Sequence, residues 1–384
     1  MSTGPLHILL TDPHSDGGGQ VRYVQSLAGE LRRMGHRVTI GCRPGSVLVQ
    51  VARDTDSDVL DCFHYARGMR PARWMRDIRA MGRFVRDARP DLVHVNGSQD
   101  HWVAALAWTL SGRDFPILRT RHNTYSVKRG AINRWLNSHC TRHQIAVCEM
   151  VRQSLAAHPA FEASRLTAIH NGVDTARYAP DPVMRATVRV EFGYGDDDIV
   201  FGIAARLVEA KGHTYLFEAV ARIASEVPAL RVLVLGQGAL ESKLKDQVRR
   251  LGLTSRVHFG GFRTDMERCV HAFDVGVLPS IDCDTSSFSL KEQMSAGIPV
   301  ITSDYGGLPE IVSDGREGLV VPNGAIAPLA RALSEMALHP ELRRRMGEAG
   351  RARVLGEFSL QAFAGRTVDV YRNLLETADE HTSS

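Results

Sequence analysis

The sequence predicts an α/β protein in which two domains, each with a doubly wound parallel sheet, follow one another along the chain. Apolar strand-like runs alternate with helix-like segments through both halves of the 384 residues. Several runs lead directly into glycine-rich or charged turns, the position at which parallel sheets carry ligand groups. We predict an N-terminal domain over residues 1–175 and a C-terminal domain over 176–359, with a last helix, about 360–384, that packs back on the first domain.

Composition restricts the class of protein. Apolar residues make up 43% and charged residues 23% of the chain, as in an ordinary globular enzyme. The first residues do not resemble a signal peptide, and no run approaches the roughly 20 apolar residues of a membrane-spanning helix. The six cysteines form no CxxC pair. These features favour a reduced, cytoplasmic compartment.

Charge is divided unevenly between the halves. Residues 1–175 hold 23 basic and 15 acidic side chains, whereas the rest of the chain holds 24 and 28. A basic first half predicts an anionic partner or surface for that half. The excess is too small, and the aromatic content too low, to indicate nucleic acid.

The first predicted strand covers residues 6–11 and runs into a glycine loop. Gly18 and Gly19 lie in that loop, before a helix and a second strand at 38–40. The dinucleotide fingerprint is incomplete, because Arg22 stands where its third glycine would be. The loop is therefore compatible with a plain tight turn as well as with a ligand loop.

An arginine-rich helix is predicted within residues 64–89. Arginines recur there at every third or fourth position, and apolar residues that include Trp74 fall between them. One interpretation is an interfacial helix that rests on anionic lipid. We favour a surface helix packed on the sheet, whose arginines are solvated or paired with Asp77 and Asp87.

His122 follows the predicted strand 117–120, at the end where ligand groups are found. A histidine there can donate to a sugar hydroxyl or a phosphate, and a structural role is equally compatible with its position. Basic residues surround it in the sequence and point to an anionic partner, which would be the acceptor if the chain transfers a group: Arg119, Arg121, Lys128, Arg129 and Arg134.

The second half repeats the alternation, with strands predicted at 199–203, 231–235, 257–259, 275–278 and 300–302 and helices from 325 onward. Arg206 and Lys211 follow the first of these strands. The planar guanidinium group of an arginine and the compact ammonium group of a lysine both suit binding of a diphosphate. Gly236 and Gly238 expose the backbone after the next strand.

A strand, a polar loop and a helix start lie within residues 274–304. Helix N-termini bind anions through backbone N–H groups and the helix dipole. Asp284 lies in the loop and Glu292 lies one turn inside the helix. The predicted anion site uses the first residues of the helix: Ser287, Phe288, Ser289 and Leu290. With Arg206 and Lys211, this stretch predicts a pocket for a nucleotide diphosphate.

Asp282 and Asp284 also form a DxD pattern, which can hold Mg²⁺ or Mn²⁺. Because Arg206 and Lys211 already supply positive charge, we predict no metal and no other cofactor. The nucleotide diphosphate would be a co-substrate.

These residues resemble the retaining glycosyltransferases of family 4, which have the GT-B fold of two Rossmann-like domains facing an interdomain cleft. The similarity is strongest from 199 to 321 and includes the segment 294–300. The family's phosphate-binding Arg and Lys match Arg206 and Lys211, and its Glu-x7-Glu motif falls on Asp284 and Glu292. The resemblance implies that Glu292 holds the ribose hydroxyls and that Asp284 faces the donor sugar.

The N-terminal half carries the remaining matches. Gly18 and Gly19 with Arg22 resemble the glycine loop near the diphosphate, and His122 matches the histidine near the donor sugar. The chain departs from the family at three places: Asp284 is shorter than Glu, Ser286-Ser287 replaces Phe-Gly, and Ala205 replaces a Gly. These changes bear on the donor sugar more than on the reaction.

The resemblance implies metal-independent transfer of a sugar, with retention, from a nucleotide diphosphate to a hydroxyl. The expected acceptor is a cell-envelope glycan or glycolipid such as lipopolysaccharide core, reached from the inner face of the cytoplasmic membrane through peripheral contact. Three alternatives stay open: a nucleotide-sugar 2-epimerase of the same fold, transfer to a soluble small molecule, and a non-catalytic nucleotide-sugar-binding protein.

Overall fold

The computed structural model describes residues 4–66, 68, 70–111, 115–124 and 127–382. Arg67, the first arginine of the arginine-rich segment, lies outside them. The chain divides into two units, Met1–Gly172 with Leu360–Ser384, and Val173–Ser359. The backbone N–H of Val173 donates to the carbonyl of Phe358 (2.8 Å). The first and last residues of the second unit are therefore adjacent.

The N-terminal unit contains a seven-stranded parallel sheet of order β3-β2-β1-β4-β5-β6-β7. Its strands are β1 His7–Thr11, β2 Arg37–Gly41, β3 Asp58–Leu60, β4 Leu92–Val95, β5 Ile117–Arg121, β6 His143–Ala146 and β7 Leu166–Ala168. Its first helices are α1 Gly19–Arg33, α2 Val47–Asp54, α3 Pro71–Ala88, α4 Gln99–Ser111, α5 Ala131–Arg134 and α6 Glu149–Ala156. The strand order reverses between β1 and β4, where doubly wound sheets place ligands.

The C-terminal unit contains a six-stranded parallel sheet of order β10-β9-β8-β11-β12-β13. Its strands are β8 Ile199–Ala204, β9 Leu230–Leu235, β10 Val257–Gly261, β11 Val275–Leu278, β12 Val300–Ser303 and β13 Gly318–Val321. Its helices are α7 Pro182–Glu191, α8 His213–Ile223, α9 Glu241–Arg250, α10 Met266–Cys269, α11 Phe288–Ser295, α12 Leu308–Ile311, α13 Ile326–Leu338 and α14 Pro340–Glu357. The order reverses between β8 and β11.

The predicted fold class, two doubly wound parallel-sheet domains, is confirmed. Two strands escaped the sequence analysis, β3 and β13, and both lie at sheet edges. Each has only three or four residues and includes side chains that are not fully buried. A run of three or four residues is too short to show the period or the length by which a strand is recognised in a sequence.

The last helix, α15 Leu360–Thr382, belongs to the N-terminal unit. Its Phe363 ring meets the Tyr23 ring of α1 edge to face, with the ring centroids 5.0 Å apart. The hydroxyl of its Tyr371 lies 2.6 Å from Nδ1 of His94 on β4. The chain end thus packs on the sheet that begins the chain.

Helix α3 packs on the unit through Ile78, Met81 and Val85, as the favoured interpretation expects. The predicted pairing of its arginines with Asp77 is wrong. That carboxylate is buried and accepts the backbone N–H groups of His64 (2.9 Å) and Tyr65 (2.8 Å). Asp87 pairs with Arg86 (3.5 Å). The other arginines of the helix, Arg73, Arg76, Arg79 and Arg83, are exposed and make no ion pair with any described residue.

None of the helices among the described residues combines the length and the apolar character that a bilayer span requires.

Buried histidines predict that the N-terminal unit loses stability in mild acid. Burial lowers the pKa of His94 to about 3 and of His122 to about 4, and it holds the pKa of His101 well below its ordinary value. Between pH 6.5 and about 4 the unfolded chain therefore takes up protons that the folded unit does not. Each such group lowers the free energy of unfolding by up to about 1.4 kcal/mol per pH unit over this window.

The melting temperature should fall steadily from pH 7 to pH 5 when followed by circular dichroism. A His139→Gln variant serves as the control, because that histidine is exposed and should leave the slope unchanged. A melting temperature that stays constant over this range would contradict the low pKa values given to the buried histidines.

Candidate active site

Arg206 and Lys211 lie in the loop that follows β8 in the C-terminal unit. A short 3₁₀ turn, Glu209–Lys211, leads to Gly212 and the start of α8. Gly212 has φ +73°, and a Cβ added there would lie 1.9 Å from the carbonyl oxygen of Pro279. Only glycine therefore lets this loop approach the chain that leaves β11.

The loop after β11 meets this first loop directly. The backbone N–H groups of Ile281 and Asp282 donate to the carbonyl of Ala210 at 2.8 and 3.3 Å. Because β8 and β11 flank the reversal of strand order, their following loops share one edge of the sheet. The two stretches that the sequence analysis combined into one pocket are thus in contact.

Lys211 and Asp284 form a largely buried ion pair, with 2.7 Å between Nζ and Oδ2. The Ser280 hydroxyl donates to the same carboxylate oxygen at 2.6 Å. Arg206, by contrast, is exposed and contacts no carboxylate in the described part of the chain. The site therefore contains one cation already held by an acid and one cation that an anion can reach.

Helix α11 begins beside Asp284. Ser287 is its N-cap and accepts the N–H of Leu290 through its hydroxyl (3.3 Å). The Ser289 hydroxyl accepts from the side-chain amide of Gln293 (2.7 Å). Phe288 is the first helical residue, so this end carries the positive pole of the helix dipole. Glu292 lies one turn further on and is buried.

Lys291 and His213 were missed by sequence reasoning. Lys291 is fully buried, its Nζ donates to the Ser286 hydroxyl (2.8 Å), and this nitrogen lies 5.0 Å from the centroid of the Phe358 ring. His213 opens α8. Burial, with Lys211 adding to it, lowers the pKa of His213 to about 4. The available signals were a lysine directly before Glu292 near the start of α11 and a histidine directly after Lys211-Gly212.

Gly236 and Gly238 lie against the Arg206 loop. A Cβ on Gly236 would lie 2.0 Å from the carbonyl oxygen of Ala205, and one on Gly238 would lie 2.4 Å from that of Leu207. The N–H of Leu207 donates to the carbonyl of Gln237 (3.0 Å). These glycines are thus required for the close packing of the two loops. This requirement holds whether or not the glycines contact a ligand.

The two aspartates of the DxD pattern have different partners. Asp282 is exposed and accepts the Tyr305 hydroxyl at 2.8 Å, whereas Asp284 pairs with Lys211. Among the described residues, no group of three or more His, Cys, Asp or Glu side chains is arranged to hold a metal ion.

In the N-terminal unit, Gly18, Gly19 and His122 lie at the carboxyl edge of the sheet. Gly18 caps α1, which begins at Gly19, and His122 directly follows β5. Nε2 of His122 lies 3.0 Å from the Asn96 side-chain oxygen, and its ring meets the Tyr23 ring edge to face at 4.7 Å. Its low pKa, caused by burial, keeps the imidazole neutral at pH 7.

Asp12 and His14 are further polar residues at this edge that sequence reasoning missed. Asp12 is fully buried, and its carboxylate accepts the backbone N–H of His14 at 2.7 Å. Nδ1 of the His14 ring lies 2.7 Å from the same oxygen. The rule that ligand groups follow parallel strands would have selected Asp12, the residue after β1.

Two of the arginines expected to face an anionic acceptor are internal. Arg119 is buried and donates to Nδ1 of His101 (2.6 Å). Arg121 donates to Gln144 (3.3 Å) and lies over the ring of Phe161. Their long side chains turn into the unit because β5 is a central strand. The remaining members of the predicted cluster are exposed: Lys128, Arg129 and Arg134.

Comparison with known families identifies both halves of the chain. Residues 17–177 match the model described as Glycosyltransferase Family 4, and residues 184–353 match the model of Glycosyl transferases group 1. The two matches lie one in each unit and together cover most of the described chain.

Individual relatives agree with this result. The chain is 31% identical over 218 residues to a GDP-mannose-dependent alpha-(1-6)-phosphatidylinositol monomannoside mannosyltransferase of Mycobacterium tuberculosis, a match that covers 55% of this chain and 56% of the relative. It is 28% identical to the D-inositol 3-phosphate glycosyltransferase of Streptomyces avermitilis, over 96% of this chain and 85% of the relative.

Among solved structures, Anabaena HepE in complex with UDP superposes with a TM-score of 0.80 and 21% identity, over 98% of this chain and all of that one. At this identity the likeness concerns the fold alone, which is GT-B. With both family matches and the two doubly wound sheets, the chain belongs to the family 4 and group 1 glycosyltransferases and is an enzyme of that class.

Proposed function

We propose that the enzyme transfers a sugar, with retention and without a metal, from a nucleotide-diphosphate sugar to a hydroxyl of a cell-envelope glycan or glycolipid such as lipopolysaccharide core. One observation carries the proposal. The loop with Arg206 and Lys211 is hydrogen-bonded to the loop that leads into α11, so two cations and a helix N-terminus share one sheet edge.

The chemical demand on this site is charge stabilisation. Breaking the bond between the anomeric carbon and the diphosphate leaves negative charge on the phosphate oxygens. Arg206, Lys211 and the positive end of α11 would each meet part of that charge, at about 2–4 kcal/mol for a well-placed donor. Glu292 would accept the ribose hydroxyls, as the family resemblance implies.

Retention follows if the acceptor attacks from the face that the diphosphate leaves. The acceptor oxygen forms a bond to the anomeric carbon, the bond to the phosphate oxygen breaks, and the acceptor proton passes to that oxygen. Asp284 is poorly suited to be a nucleophile, because Lys211 and Ser280 already occupy one of its oxygens. Positioning then accounts for much of the rate.

An anionic acceptor is supported by charge and by the relatives. The N-terminal half is basic, and four exposed arginines of α3, at positions 73, 76, 79 and 83, lack carboxylate partners among the described residues. The relatives named above act on a phosphatidylinositol mannoside or an inositol phosphate. We propose a cytoplasmic enzyme that reaches its acceptor by peripheral contact with the inner face of the membrane.

The donor can be tested first. UDP-, GDP- and ADP-sugars are screened by thermal shift and by nucleotide release, and the anomeric configuration of the product is read by NMR. The proposal expects one nucleotide class to bind and an α-linked donor to give an α-linked product. Inversion would remove the retaining mechanism, and a C2-epimerised nucleotide sugar would replace transfer by epimerisation.

Removal of divalent metal is expected to leave turnover within about twofold, because Lys211 and Arg206 provide the positive charge that a metal would provide. Initial rates are measured with and without EDTA. An Asp282→Asn variant is the matched control, since Asp282 belongs to the DxD pattern but bonds to Tyr305. Activity lost in EDTA and restored by Mn²⁺ would contradict the metal-independent mechanism.

A further inference from the structure

A cavity of about 540 Å³ lies beside the first turns of α3 and α4 in the N-terminal unit. Its apolar walls include Trp74, Trp102, Pro71 and Ala66. Sites for small molecules usually measure about 300–1,000 Å³ and have mainly apolar walls with few polar groups. The cavity has the size and lining of a binding site.

The two tryptophans are held in different ways. The Trp102 ring stacks on Trp135, with centroids 6.2 Å apart and planes inclined by 27°. The indole Nε1 of Trp74 is buried and has no hydrogen-bond partner among the described residues. A buried N–H without a partner is unfavourable.

The polar side of the cavity is positively charged. Arg70 contributes to its wall, and Arg73 lies one turn further along α3; both are exposed and form no ion pair within the described chain. Ser98 also lines the cavity, and its hydroxyl accepts from Nη2 of the buried Arg119 (3.3 Å). Arg70 therefore lines the apolar cavity, Arg73 follows it one turn later, and Arg119 contacts the cavity wall through Ser98.

We propose that this cavity binds the lipid end of an anionic amphiphilic acceptor. The apolar chain lies between Trp74 and Trp102, and its phosphate lies at Arg70 and Arg73. The inference rests on the proposed transfer to a lipid-linked acceptor. Ser98 follows β4 at the same sheet edge as the residues that follow β1 and β5, so the lipid end would lie at the edge that carries His122.

The lining favours an amphiphile over other anionic partners. A glycan chain needs many hydrogen-bond partners, whereas these walls are mostly apolar. A flat bilayer surface would use the exposed arginines of α3 but would leave the cavity empty. Charge complementarity and an apolar cavity together favour a single phosphorylated lipid.

Dodecyl phosphate, kept below its critical micelle concentration, is the probe. The full-length protein is titrated with it by isothermal titration calorimetry, in parallel with dodecyl maltoside and with inorganic phosphate. We expect saturable binding of one dodecyl phosphate per chain, at least about tenfold tighter than of dodecyl maltoside, because only the phosphate meets the arginines. Inorganic phosphate alone should bind weakly.

Variants separate the apolar and charged parts. Trp102→Ala should weaken dodecyl phosphate binding about tenfold or more through lost aromatic contact. Arg70→Glu with Arg73→Glu should weaken it similarly without affecting dodecyl maltoside, and both positions are exposed, so folding is preserved. Trp108→Phe is the matched control, since that tryptophan lies on the same helix outside the cavity lining.

Each outcome decides the proposal. Equal affinity for dodecyl maltoside, or unchanged affinity in Trp102→Ala and in the arginine variant, would overturn it. So would binding to phosphatidylglycerol vesicles without binding to dodecyl phosphate, which would assign the arginines to the bilayer. If the protein binds a nucleotide but not dodecyl phosphate, the lipid site in the cavity is refuted and the proposed transfer is not. If it binds dodecyl phosphate but no nucleotide, the lipid site is supported and the proposed transfer is refuted.

Discussion

Replacing Arg206 with alanine is expected to lower kcat for sugar transfer about 100- to 1,000-fold. The physical reason is its exposure. Arg206 contacts no carboxylate in the described part of the chain, so its full charge is available to the diphosphate as the bond to the sugar breaks. Initial rates are measured at saturating donor, and binding of the free nucleotide is measured separately by calorimetry.

An arginine elsewhere in the same unit provides the control for this change. Arg250→Ala removes an exposed guanidinium from the end of α9 and should leave kcat unchanged. Transfer by Arg206→Ala at a nearly normal rate, with a normal melting temperature, would remove the arginine from the reaction. A rise in KM at constant kcat would mean that it binds ground state and transition state equally.

The second large effect concerns the ion pair of Lys211 and Asp284. We expect Lys211→Met and Asp284→Ala each to lower kcat about 100-fold, and the double variant to be little worse than either. The Asp284 carboxylate, itself bonded by the Ser280 hydroxyl, holds the ammonium group in one position, so either change removes the same positioned charge. The expected coupling exceeds about 1.5 kcal/mol.

Additivity is the result that would contradict this reasoning. If the two single losses multiply in the double variant, Asp284 acts on the donor sugar independently of Lys211, as the family resemblance implies for the first acid of its motif. Asp284→Glu is the conservative control, because it keeps the charge with one more methylene. Recovery of activity in that variant would show that the shorter side chain is not required for the pair.

Local sequence was sufficient to predict most of the architecture. Central strands such as β1 and β8 are continuous apolar runs, and their burial on both faces is what makes such runs recognisable. Edge strands β3 and β13 were missed because each has only three or four residues. The predicted ends of the central strands also showed that Arg206, Lys211 and His122 follow strands. Residues that follow parallel strands lie at the carboxyl edge of the sheet, so their location could be predicted.

Long-range contacts changed the interpretation of several side chains. Asp77 was expected to pair with arginines of its own helix, but it is buried under two backbone N–H groups at 64 and 65. Arg119 and Arg121 were expected to face an acceptor, but they point into the unit. The charges of sequence neighbours do not indicate which partner the fold brings to a charged side chain.

The sequence by itself determined the alternation of strands and helices, the two doubly wound sheets and the residue types at the ends of β8 and β11. These depend on periodic burial and on turn residues, which are local properties. Tertiary structure alone decided that Lys211 meets Asp284, that Gly236 and Gly238 are needed for loop packing, and that two tryptophans line one cavity. Each of these contacts joins residues far apart in the chain, which the pairing of β8 with β11 and with β9, or the packing of α3 on α4, brings together.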